Sequence, residues 1–102
     1  MIKIDDRKIN SIYISKLIAK NINEMTLEEK IYAAYGVFKI ISKIDDYATF
    51  LLFDIIKNIS EYTEETDKSA SVEFFEKLQF LDEKNINLIL KIIYSFWDIL
   101  MI

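Results

Sequence analysis

The run TLEEKIYAAYGVFKIISKI, residues 26–44, decides the fold class. Thr26 and Glu29 stand at the spacing of a capping box. In that motif the threonine hydroxyl accepts from a backbone N–H in the first turn, and the glutamate reaches back to the threonine N–H. Glu28 and Glu29 also place negative charge where the helix dipole favours it. At about 100° per residue, Leu27, Ile31, Ala34, Tyr35, Phe38 and Ile41 share one face. Ala33, Val37, Ile40 and Ile44 widen that face, while Glu28, Lys39 and Lys43 lie opposite. The pattern predicts an amphipathic helix over 27–44. Gly36, in its middle, costs the helix about 1 kcal/mol relative to Ala. Close contact with a neighbouring helix is the expected reason for it.

The flanking sequence extends the same architecture. Asp45-Asp46 reads as a stop and restart, with either aspartate able to cap a helix over 47–61. The polar run from Glu61 to Ser69 is the one loop of any length. Ser69 or Ser71 opens a short helix over 71–81 with the stripe Phe74, Phe75, Leu78 and Leu81, and Asp82 caps a last helix over 83–101. Upstream, a helix over about 6–23 carries apolar residues on nearly every side (Ile9, Ile12, Tyr13, Ile14, Leu17, Ile18, Ile22), so its orientation is left open. Residues 1–4 alternate like a strand that has no partner. With no Pro and a single Gly in 102 residues, the chain lacks the usual hairpin turns. The expected fold is all-α, a compact five-helix bundle forming one domain over 1–102.

The missing residue types narrow the chemistry. There is no Cys and no His, which removes disulfides, Cys/His zinc sites, thiol nucleophiles and histidine acid–base catalysis. One Gly is too few for a Gly-rich phosphate loop. Ser15, Ser42, Ser60 and Ser95 have no His to activate them; Lys16 or Lys91, if partly buried, is the remaining candidate for a shifted amine. Glu61, Glu64, Glu65 and Asp67 form an acidic cluster that lacks the Gly and ligand alternation of a calcium loop. The expectation is therefore no enzyme, no metal and no cofactor. Thirteen Lys and Arg against seventeen Asp and Glu give a net charge of −4. Residues 1–23 hold five of the cations (Lys3, Arg7, Lys8, Lys16, Lys20), whereas residues 24–67 carry ten acidic groups against four basic ones. A polyanion would be repelled by that middle section, so nucleic acid is an unfavoured partner and the basic first helix its alternative docking site.

No signal peptide is expected, because Asp5, Asp6, Arg7 and Lys8 interrupt the apolar start, and no stretch reaches membrane-spanning length. A cytoplasmic location follows as the expectation. The abundance of Ile, Lys, Asn, Tyr and Phe is what AT-rich coding produces, which points to a phage, virus or plasmid.

Apolar surface in excess of one small core is the main positive signal. In the last helix, Ile86, Ile89, Leu90, Ile93, Phe96, Trp97 and Leu100 cover one side, and Leu88, Ile92 and Ile99 form a second ridge. Such a helix is either central in its own bundle or shared with another molecule. In the third helix, Leu51, Leu52, Ile55, Ile56 and Ile59 face inward, while Phe50 and Phe53 fall among Asp54, Lys57 and Glu61, with Tyr47 at the margin. The partner-binding set is therefore Tyr47, Phe50, Phe53, Leu88, Ile92 and Ile99, and a homodimer is expected. The stretch Asp82-Glu83-Lys84-Asn85-Ile86-Asn87-Leu88-Ile89-Leu90 resembles the opening of the last helix in some poxvirus Bcl-2-like proteins, which bind host signalling factors. It spans nine residues, and no residue role follows from it. By size and class alone the chain is similar to immunity-type proteins and phage inhibitors. The expected function is a small non-enzymatic protein-binding module, an inhibitor or adaptor that occludes a partner surface.

Overall fold

The computed structural model of the chain describes residues 2–60 and 69–100. Five α-helices carry it, with no strand among the described residues: α1 Ser11–Ala19, α2 Leu27–Ile44, α3 Asp46–Ile59, α4 Ala70–Leu78 and α5 Glu83–Leu100. Polar caps set most of the starts. The Thr26/Glu29 box is complete: the Glu29 N–H donates to Thr26 Oγ1 at 3.1 Å and the Thr26 N–H to Glu29 Oε1 at 2.9 Å. Asp45 ends α2 and caps α3, its carboxylate accepting from the Ala48 N–H at 2.9 Å. Ser69 caps α4 and Asp82 does the same for α5.

The first helix is shorter than its apolar pattern implies. Single 3₁₀ turns at Asp6–Lys8 and Ile22–Glu24 flank α1. Asn10 makes the first break, accepting from the Tyr13 N–H at 2.9 Å while its amide donates to the Arg7 carbonyl at 2.6 Å. Asn21 makes the second by accepting from the Asn23 N–H. Asparagine competes for backbone groups in this way and so favours helix ends over interiors. At the other short helix, α4 stops at Leu78, and the N–H groups of Gln79, Phe80 and Leu81 turn back to carbonyls three residues earlier. Helix α3 stops at Ile59 with Ser60 as its C-cap, short of the expected 61, and the expected end at 101 lies outside the described residues.

Helix α2 is the centre of the bundle and touches each of the other four helices. Every residue from Lys30 to Phe38 is buried. Helix α4 runs antiparallel to it: Phe74 stacks on Phe38, and Phe75 meets Tyr32 and Tyr35 edge-on or tilted. Helix α3 contributes Ala48, Leu52 and Ile56 to the core, α5 contributes Ile86, Ile89, Leu90 and Ile93, and α1 adds Ile14 and Leu17. Gly36 is there for proximity, since a Cβ at that position would sit 2.4 Å from Ile14 Cδ1. The central role falls to α2 and not to α5, and of the second ridge of α5 Ile92 packs partly against the core while Leu88 and Ile99 stay exposed.

The alternating N-terminal residues form an extended strap and not a strand. The buried Tyr32 hydroxyl accepts from the Asp5 N–H and donates to the Lys3 carbonyl, each at 2.9 Å. The Ile2 N–H donates to Gln79 Oε1 beyond α4. Two cations are buried as well. Lys30 reaches Glu83 at 3.0 Å, which joins the starts of α2 and α5, and Lys77 lies 3.7 Å from Glu73. Their long apolar stems fill the core while the ammonium groups find carboxylates.

Tyr94 is less well provided for. Its hydroxyl oxygen is buried and has no hydrogen-bond partner among the described residues. Burial pushes its phenol up to about 12. In the unfolded chain the phenol keeps its ordinary value, about 10. As pH rises past 10 the unfolded chain loses that proton first, so stability falls between about pH 10 and pH 12. Tyr94→Phe is expected to remove this share of the alkaline loss and to gain up to about 1 kcal/mol at pH 7, by deleting an unsatisfied group. Urea unfolding at pH 7 and pH 11 reads both. A variant less stable than the parent at pH 7 shows that the hydroxyl is bonded after all.

Candidate functional site

Helix α3 offers its most exposed side chains on the side opposite its core stripe. Ala48, Leu52 and Ile56 point inward; Tyr47 and Phe50 point out and are 73% and 72% exposed. Exposed Asp46, Asp54 and Lys57 surround them. Phe53 is divided between two roles, being half-buried against the core yet also lining an open cleft of about 410 Å³. The cleft runs between α3 and α4 and is bordered by Asp46, Thr49, Phe50, Phe53, Ala70 and Glu73. Its floor is aromatic and two of its rim residues are carboxylates. The period of α3 makes the aromatic floor legible in sequence. Glu73 on the rim is not, because the packing of α4 beside α3 brings it there.

Helix α5 supplies the second face. With Ile86, Ile89, Leu90 and Ile93 buried, Leu88 and Ile99 are left 46% and 70% exposed, with Ile92 half-buried between them. None of the three lines the α3–α4 cleft. The six sequence-selected residues thus form two separate faces, three on α3 and three on α5. Ile12 and Ile44 are further exposed apolar side chains that the sequence reading did not single out. For Ile12 the signal was hidden by a helix that looks apolar all round; for Ile44, by its place at the edge of the α2 face.

The basic N-terminal region is largely neutralised within the chain. The Arg7 guanidinium makes two hydrogen bonds to Asp5, Lys8 pairs with Glu28 at 2.6 Å, and Lys20 pairs with Glu29 at 2.7 Å. The hydrogen-bonded Arg7 guanidinium lowers the Asp5 carboxyl, and Lys20 together with the Thr26 N–H lowers that of Glu29. Arg7 and Lys8 sit on the 3₁₀ turn before α1 and Lys20 just past its end.

The remaining chemical candidates come apart. Ser15, Ser42 and Ser95 donate their hydroxyls to carbonyls of their own helices. Lys16 and Lys91, considered above as partly buried amines, are both exposed. Asp45 is a helix cap. The acidic cluster at Glu61, Glu64, Glu65 and Asp67 lies outside the described residues. Among the described residues no group of three or more carboxylates converges, and no helix is long and apolar enough to cross a membrane. No protein-family model, curated protein or solved structure matches this sequence.

Proposed function

We propose that this chain is a non-enzymatic protein-binding module of the cytoplasm, borne by a phage, virus or plasmid, which self-associates and works by occluding a partner's surface. One observation carries the reading: Tyr47 and Phe50, the two most exposed large apolar side chains among the described residues, stand together on α3 beside an aromatic cleft. Aromatic residues that bury their rings on contact dominate binding energy at interfaces. Asp46 and Asp54 around them favour a partner with basic groups, through steering and through rejection of acidic competitors. The in-chain pairing of Arg7, Lys8 and Lys20 weighs against nucleic acid, whose phosphates need uncommitted cations.

The double variant Tyr47→Ala/Phe50→Ala tests it. Both side chains are mostly in solvent, so the far-UV circular dichroism and unfolding midpoint are expected to stay those of the parent. A protein captured from host extract on the immobilised parent is expected to bind the variant at least tenfold more weakly. Binding to the parent is expected to weaken with added salt. Equal capture by parent and variant overturns this assignment of the α3 face.

A further inference from the structure

We propose that the outer ridge of α5 is the seam of a homodimer in which two copies of this helix pack antiparallel. This rests on the self-association in the reading above and specifies where it occurs. Leu88, Ile92, Ser95 and Ile99 recur at spacings of four, three and four, the a and d positions of a coiled coil. They lie along one outer edge of a helix whose opposite face is already spent on the core. Ser95 supplies a small side chain at the middle of the row. Its hydroxyl donates to the Lys91 carbonyl at 2.9 Å, so covering it leaves no donor stranded.

The charges choose the partner and the direction. Lys91 and Asp98 flank this row one heptad apart, both exposed and neither in an ion pair within the described residues. They are too far apart along one helix to reach each other. With two copies antiparallel, Leu88 faces the partner copy's Ile99 and Ile92 faces its Ser95. Lys91 of each copy then stands within about two residues of the other's Asp98. The side chains lean toward their own N-termini, which draws these opposite charges together, once on each side of the two-fold axis. A parallel pair would set Lys91 against the Phe96 position and leave both charges unmet. A seam with three large side chains per copy is short of the roughly 800 Å² per partner of a standard interface, so the association is a concentration-dependent equilibrium.

Sedimentation equilibrium across micromolar to millimolar concentrations tests the arrangement on the parent, Lys91→Asp, Asp98→Lys, and an equimolar mixture of the two variants. The parent is expected to move from 12.1 kDa toward twice that mass. Each single variant brings like charges together twice per dimer and is expected to dimerise about tenfold more weakly. In the mixture, one chain carries only aspartate at these two positions and the other only lysine, so the heterodimer regains both opposite-charge contacts and parent-like affinity. Circular dichroism confirms that the surface substitutions leave the helices intact. A parent that stays monomeric throughout overturns both this proposal and the self-association it rests on. A parent dimer indifferent to both variants overturns the α5 seam alone. Weakened variants that the mixture fails to rescue overturn the antiparallel register.

Discussion

Phe38→Ala is expected to remove about 3–5 kcal/mol of folding stability, the cost of deleting a large ring that the core does not refill. Phe38 and Phe74 are both fully buried, and their rings stack with centroids 4.0 Å apart and planes within 2°. This contact joins α4 to the central helix, and α4 is short, with nine residues. Helices of that length are marginal on their own in water, so α4 owes its place to Phe74, Phe75 and Leu78. A domain of this size holds about 5–15 kcal/mol in total, which leaves the variant close to the unfolding threshold at 37 °C. Urea denaturation followed by far-UV circular dichroism measures the loss. Phe38→Leu and Phe74→Leu, singly and together, separate ring–ring coupling from simple burial, with about 0.5–1.5 kcal/mol of coupling expected. If Phe38→Ala costs under about 1 kcal/mol, α4 does not pack on α2 through this pair.

The parts of this molecule that sequence makes plain are those where one local rule acts alone. The Thr26/Glu29 box, the Asp45 junction and the Asp82 cap each need only backbone groups a few residues away, and the structure has all three. The first helix is present but shorter than expected, because two rules compete there. Its apolar density suggested continuity from 6 to 23, while Asn10 and Asn21 were cap residues set inside that run and their side chains won. Reading polar caps before apolar density would have divided it. The exposure of Phe50 followed from helical period, whereas Tyr47, which that period set only at the margin, is exposed just as fully. The half-burial of Phe53 did not follow from that period, because its edge of α3 meets both the core and the cleft beside α4. Tyr32 clasping the N-terminal strap and Lys77 buried beside Glu73 are tertiary facts. No spacing announces the first, whereas Glu73 and Lys77 stand at i, i+4 within α4 and only the burial of that lysine is beyond the sequence pattern.

Gly36→Val is expected to cost about 3 kcal/mol, even though valine is the better helix former of the two. The opposing terms differ in size. Replacing glycine within a helix gains a few tenths of a kcal/mol in propensity, whereas the first added carbon already falls 2.4 Å from Ile14 Cδ1 and 2.6 Å from its Cγ1. Ile14 is β-branched and stiff at χ1, and its Cγ1 and Cγ2 at 2.6 and 3.1 Å also crowd the new carbon, so turning Cδ1 away alone does not clear the space. The strain falls on the Ile14 side chain, which must shift to admit the new carbons. Ile14→Ala removes three carbons from that site and Gly36→Val adds three, so the double variant conserves volume across the contact. Ile14→Ala alone is expected to lose about 2–5 kcal/mol by leaving a cavity. Combined, the two substitutions are expected to cost at least 1 kcal/mol less than the sum of their separate effects, as volume-conserving exchanges do. A strictly additive double variant, measured by urea unfolding, shows that the glycine does not serve to admit Ile14. In that case the packing of α1 against the central helix is held by Leu17 instead.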